Sequence, residues 1–134
     1  MRQIKQKDAW GCGVACVAMV AGVDYLAAKA VVHGKRGVDG TWTRDLIVAL
    51  EHFDITVGNR LIPFGNRNFR DLKIDAIMKV GLKKSGAWHW VVWDLANGSI
   101  RDPHDGPSEW RNSNRRPRPI SYLPVNSVDR PHFA

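Results

Sequence analysis

Apolar residues recur at helical spacing along the first third of the chain and alternate along the rest. In GCGVACVAMVAG, from Gly11 to Gly22, Val14, Val17, Ala18 and Ala21 fall at i, i+3, i+4 and i+7 behind a glycine-rich turn. Nearly every face of this segment is apolar, so the helix is expected at the centre of the molecule. A second helix is predicted from Asp24 as N-cap through DYLAAKAVVH until Gly34 stops it, with Leu26, Ala30 and Val31 turned inward. In the third, Thr41 or Thr43 caps TRDLIVALEHF, and Leu46, Ile47 and Leu50 form the buried stripe.

Beyond Phe53 the period shortens. DITVG is a short predicted strand, LIPFGNRNFRD a loop, and IDAIMKVGL another strand. WHWVVWDL, bounded by Ser85-Gly86 and Asn97-Gly98, is the clearest strand, and the Asn-Gly pair suits a tight hairpin returning the chain into SIRD. ISYLPV supplies a last strand. Three helices followed by an antiparallel sheet give an α+β domain of two layers, without internal repeat or linker, spanning residues 1–126 with a tail at 127–134.

Composition adds compartment and partners to this picture. At 134 residues the chain has enough length for one core without disulfides. Its two cysteines, Cys12 and Cys16, lie in one predicted helix and cannot bridge distant segments, which fits a reducing environment. The start, MRQIKQKDAW, lacks an apolar run, and Val14 to Ala21 is far shorter than the roughly 20 residues that span a bilayer. A cytoplasmic protein without a membrane segment is expected. The net charge of +7 favours anionic partners. Arg111, Arg115, Arg116 and Arg118 concentrate part of it in a polar, proline-broken stretch that reads as a solvated arm with, at most, weak affinity for an anionic partner.

The candidate chemistry centres on Cys12. The first turn of a helix favours a thiolate through unpaired backbone N–H groups and the positive end of the dipole, and Cys12 occupies that turn. Gly11 and Gly13 would permit a tight turn there and let a substrate backbone approach. Cys16, one turn deeper among Val and Met, reads as an inert core residue. A cysteine nucleophile needs an imidazole within reach and a third group to orient it. His89 opens the strongest strand, and Asp102 closes the next, where Pro103 favours extended geometry in the residue before it. Alternative readings are a packed His89 between Trp88 and Trp90, and an Asp102 paired with Arg101. Asp94 shares a strand with His89 but lies on its opposite face. His33 and His52 sit at predicted helix C-termini, His104 in a loop and His132 in the tail. Gln6, on sequence alone, is an exposed glutamine.

Taken together these blocks resemble the bacteriocin-processing cysteine peptidases, papain-like domains that cut leader peptides after a double glycine. The resemblance rests on Gln6, five residues, then Cys12-Gly13-Val14-Ala15-Cys16 with Met19 following, on GTWTRDLIVALE, on HWVVWD and on RDP, in that order from Gln6 to Pro103. Members usually carry an aspartate directly before the nucleophile, where this chain has Gly11. The resemblance implies a papain-like fold, Cys12 as nucleophile, His89 as general base, Asp102 as orienting carboxylate and Gln6 in the oxyanion hole, acting on a peptide or protein.

No cofactor is expected. A zinc site from Cys12, Cys16 and a histidine is a weak ligand pattern, because no second close-spaced pair accompanies the cysteines. Lys35-Arg36-Gly37 and Gly65-Asn66-Arg67 are ordinary turns rather than phosphate loops. Two rival functions use the same scaffold: a catalytically inactive binding protein that holds an anionic partner by the arginine arm, and an acyltransferase or deamidase working through the same cysteine. Trp42, Trp88, Trp90, Trp93 and Trp110 either line a groove or fill the core.

Overall fold

The computed structural model describes residues 1–34, 40–81, 88–104, 106–107 and 118–127. Helix α1 covers Cys12–Ala21, and every residue in it after Cys12 is buried. It stops where Gly22 takes a left-handed conformation at φ 70° and its N–H donates to the Ala18 carbonyl. Helix α2 covers Tyr25–Val32, capped as expected by the Asp24 carboxylate, which accepts the Ala27 N–H at 2.7 Å. Helix α3 covers Thr43–His52. Neither threonine caps it. The carboxylate of Asp45 reaches back to accept the Trp42 N–H at 2.9 Å, which frees Thr41 to be buried against α1.

The inward face of α2 differs from the expected one. Tyr25, Ala28 and Val32 are buried, while Leu26 is 64% exposed. Ala30 is exposed as well and Val31 is only partly buried against the core, while the Tyr25 hydroxyl is turned inward to donate to Asp8 at 2.6 Å.

Six strands among the described residues form one antiparallel sheet: β1 Ile62–Pro63, β2 Asp75–Gly81, β3 Trp88–Asp94, β4 Ser99–Asp102, β5 Gly106–Pro107 and β6 Arg118–Val125, in the order β1-β6-β2-β3-β4-β5. The β3–β4 hairpin turns at the Asn97-Gly98 pair, with Gly98 at φ 60°. Two readings of short segments are corrected. DITVG is no strand, because Asp54 takes φ 60° directly after α3 and leaves one bridge, Val57 to Val125. The segment read wholly as loop contains β1, whose Ile62 and Pro63 pair with Tyr122 and Ser121. Pro119 and Pro124 of β6 fall outside that pairing, where their missing N–H costs no β1 bond.

The three helices pack on one face of the sheet, against Ile77, Trp90, Val92 and Leu123. The other face is covered by the 61–72 segment, with Phe64 and Leu72 over Met78, Val91 and Trp93. Burial on both sides explains the continuous apolar run of β3, which a sheet with one wet face would not need. No single helix among the described residues is long and apolar enough to cross a bilayer.

Candidate active site

Gly11 is the N-cap of α1, with no side chain capping the first turn and no acidic residue within it. The first N–H groups of the helix are therefore left without a side-chain cap beside the half-buried Cys12. Gly11 has φ −93°, open to any residue, so backbone freedom is not what the flanking glycines supply. A Cβ on Gly11 would lie 2.1 Å from the Tyr25 hydroxyl oxygen, and one on Gly13 would lie 2.5 Å from Thr41 Cβ. Both glycines make room for the groups that brace the turn at Cys12.

Because β3 and β4 run antiparallel, the start of one and the end of the other share an edge of the sheet, which brings His89 beside Asp102. His89 Nε2 donates to Asp102 Oδ1 at 2.7 Å, with the side chains 16% and 7% exposed. The Cys12 side chain lies near enough to act on the His89 ring and raise its pKa. With Nε2 committed to the carboxylate, Nδ1 is the ring nitrogen available to the sulfur. Sulfur, imidazole and carboxylate thus stand in one row, with a hydrogen bond between the last two.

The row polarises its members. Burial alone would depress His89, but Asp102 and Cys12 outweigh that and push it up to about 9. Burial acts to raise Asp102, and the His89 bond and the His104 N–H prevail, holding its carboxyl below the usual value. Cys16 is fully buried, which pushes its thiol well up, as an inert core residue requires.

Arg101, the competing partner for Asp102, instead binds Asp94 through Nε at 2.8 Å, and Asn97 Nδ2 donates to the same carboxylate at 2.7 Å. Asp94 thereby belongs to the far end of β3 and to the hairpin. His33 is the buried C-cap of α2, His52 ends α3 against Phe53, and His104 is exposed. His132, Trp110, Arg111, Arg115 and Arg116 lie outside the described residues, and Arg118 begins β6 as an exposed residue.

Gln6 is held at the same place by its backbone, whose N–H donates to the Pro103 carbonyl at 2.9 Å. Its amide nitrogen donates to the carbonyls of Asp8 and Ala9, both at 3.0 Å, while Oε1 is buried without a partner. The side chain laces the turn that leads into Cys12. Gln3, unremarked in the sequence, adds a second tie from Nε2 to the Asp102 carbonyl at 2.9 Å.

No sequence-family model matches the chain, and no curated protein does either. Among solved structures it is similar to the peptidase domain of Streptococcus ComA, a bifunctional ABC transporter of a quorum-sensing pathway. That match has a TM-score of 0.65 at 18% identity and covers 94% of this chain and 98% of that one. It is also similar to a double-glycine-motif protease from an AMS/PCAT transporter, solved in complex with the leader peptide. Here the TM-score is 0.61 at 18% identity, with 95% of this chain and 91% of that one covered. The chain has the papain-like fold of these peptidase domains.

Within that fold the tryptophans divide. Trp90 and Trp93 are core, and Trp90 Nε1 donates to the Thr41 carbonyl at 2.8 Å, fastening the start of α3 to the sheet. Trp42 is 71% exposed, its ring 6.1 Å from that of Trp88, the neighbour of His89. Lys79 Nζ lies 4.8 Å from the Trp88 ring centroid. Two further supports, Asp8 and Tyr25, escaped sequence reasoning, and Thr41, expected as a helix cap, packs against Gly13 instead. The signal available for Tyr25 was its place at the start of a stripe with Ala28 and Val32, which competes equally with the stripe through Leu26.

Proposed function

We propose that this chain is a cysteine peptidase that cleaves an amide bond in a peptide or protein. The observation that carries the reading is the His89–Asp102 hydrogen bond with Cys12, at the uncapped start of a buried helix, close enough to raise the His89 pKa. The Cys12 proton passes to His89 Nδ1 before the sulfur attacks the substrate carbonyl carbon, so the imidazole enters the reaction protonated. The carbonyl electron pair moves onto oxygen, and the oxyanion is met by the Cys12 N–H and by Gln6 Nε2, which releases one of its two carbonyl partners to reach it. Collapse breaks the C–N bond, and the His89 imidazolium gives its proton to the departing amine, leaving a thioester on Cys12. Water, deprotonated by His89, then attacks the thioester, releases a carboxylic acid and restores the thiol. Asp102 keeps the imidazole oriented throughout.

The leader peptide bound by one structural neighbour supports a peptide substrate, and we assign this chain the same class, a leader-type segment cut after two glycines. The test is incubation with a synthetic peptide containing a double glycine, read by mass spectrometry. Cleavage after the second glycine is expected, lost in Cys12→Ala and largely kept in Cys16→Ala. Equal loss in the two variants would refute the assignment.

A further inference from the structure

The turn that delivers Cys12 to its place is held from one side by an acid the reaction itself does not use. Asp8 sits four residues before the nucleophile, and its backbone carbonyl accepts both the Gly11 N–H at 3.1 Å and Gln6 Nε2 at 3.0 Å. Its carboxylate divides between two residues of α2, accepting the Tyr25 hydroxyl at 2.6 Å on Oδ2 and Lys29 Nζ at 3.3 Å on Oδ1. The Tyr25 oxygen also occupies the space a Gly11 side chain would fill. Thus one phenol meets the turn at both Asp8 and Gly11.

From this geometry we infer that Asp8 is a positioning residue for the oxyanion site: clamped to Tyr25 and Lys29 of α2, it fixes the 8–11 turn and so aligns Gln6 Nε2 with the Cys12 N–H. The inference rests on the peptidase reading above. Asp8 touches neither Cys12 nor His89 in any hydrogen bond, and the His89–Asp102 pair is tied down separately, by Gln3 and by the His104 N–H. Loosening the clamp should therefore spoil the alignment of the two donors and leave the thiol with its imidazole. Oxyanion donors act only where charge develops on the substrate oxygen, so their misalignment lowers kcat rather than raising KM.

The experiment compares Asp8→Asn and Tyr25→Phe with the unaltered chain. A fluorogenic peptide ending in Gly-Gly-aminomethylcoumarin gives kcat and KM per alkylatable Cys12, and iodoacetamide gives the labelling rate of Cys12 across pH. In parallel, a peptide aldehyde ending in Gly-Gly, whose hemithioacetal presents its oxygen to the same donors without a leaving group, is titrated by its protection of Cys12. The expected result is kcat lower by about tenfold or more, with KM within about threefold, and aldehyde affinity weakened by about tenfold. The labelling profile should stay within about twofold of the unaltered chain at each pH. Tyr25→Phe, which keeps the ring in the core, carries the test if Asp8→Asn does not fold.

Unchanged kcat and aldehyde affinity in a folded variant would overturn the inference, and so would labelling that falls in step with kcat, since that marks a general loosening of the site. An unaltered chain that neither labels faster than free cysteine nor binds the aldehyde removes the peptidase reading, and the inference with it. Activity in the unaltered chain that survives both substitutions removes this inference alone.

Discussion

His89 and Asp102 face each other across the open edge of a hairpin, 2.7 Å apart, and each is shifted by the other in the direction that strengthens the pair. The imidazole is held protonated well above its usual range, to about 9, against the pull of its own burial. Activity that relies on His89 to protonate the departing amine should fall as pH rises through that value. An NMR titration of the His89 ring protons is expected to give the same midpoint, and a midpoint near 6.5 would contradict the row described above. In Cys12→Ala the midpoint should move down, since one of the groups that raise it is gone.

Replacing Asp102 by Asn keeps the shape and removes the charge. Turnover should drop by about 10²- to 10⁴-fold, with a measurable remainder from the oxyanion donors. Stability should fall by about 1–3 kcal/mol, the usual loss for a buried hydrogen bond to a charged group. The pH dependence follows from the two shifts. His89 is raised in the fold, so its contribution is whole below its usual 6.5 and vanishes as pH climbs through about 9. Asp102 is lowered, so its contribution is present above its usual 3.8 and vanishes as the solution becomes more acid. Urea unfolding should therefore show the largest gap between the two proteins from about pH 4 to 6.5, narrowing as pH rises through about 9 to the part that Asp102 owes to the His104 N–H.

Gly13→Ala tests the brace from the other side. The new methyl would meet three Thr41 atoms at 2.5 to 2.8 Å, and Thr41 cannot retreat freely because its carbonyl accepts the Trp90 indole. A loss of about 1–3 kcal/mol is expected in chemical denaturation. Thr41→Ser, which removes the methyl at 2.8 Å, should recover part of it in the double variant.

Gln6→Ala removes an oxyanion donor and two ties to the turn at once. A fall in kcat of about 10²-fold is expected, with little change in Cys12 labelling by iodoacetamide. The same fall in both measurements would assign Gln6 to the turn alone.

The parts of the site that could be read in advance are those announced by local cues. Gly11 before an apolar helical run placed Cys12, the Asn97-Gly98 turn set the hairpin that aligns His89 with Asp102, and Pro103 marked where β4 stops. What stayed hidden depends on partners far along the chain. The inward face of α2 includes Tyr25, which reaches Asp8, 17 residues away, and no periodicity within DYLAAKAVVH encodes that. Strand β1 is two residues long and contains a proline, so its pairing with Tyr122 and Ser121 leaves no pattern of its own. The glycines around Cys12 were correctly singled out for a reason the structure replaces, since they accommodate Tyr25 and Thr41.

The straps from Gln3 to Asp102 and from Gln6 to Pro103 join the two ends of the active centre over nearly the whole length of the domain. During synthesis the sulfur leaves the ribosome long before its imidazole does. Until the β3–β4 hairpin is complete and Asp102 and Pro103 can accept those straps, the nascent chain carries an ordinary thiol with no base beside it. Assembly order thereby keeps the imidazole away from the sulfur until the domain is almost finished.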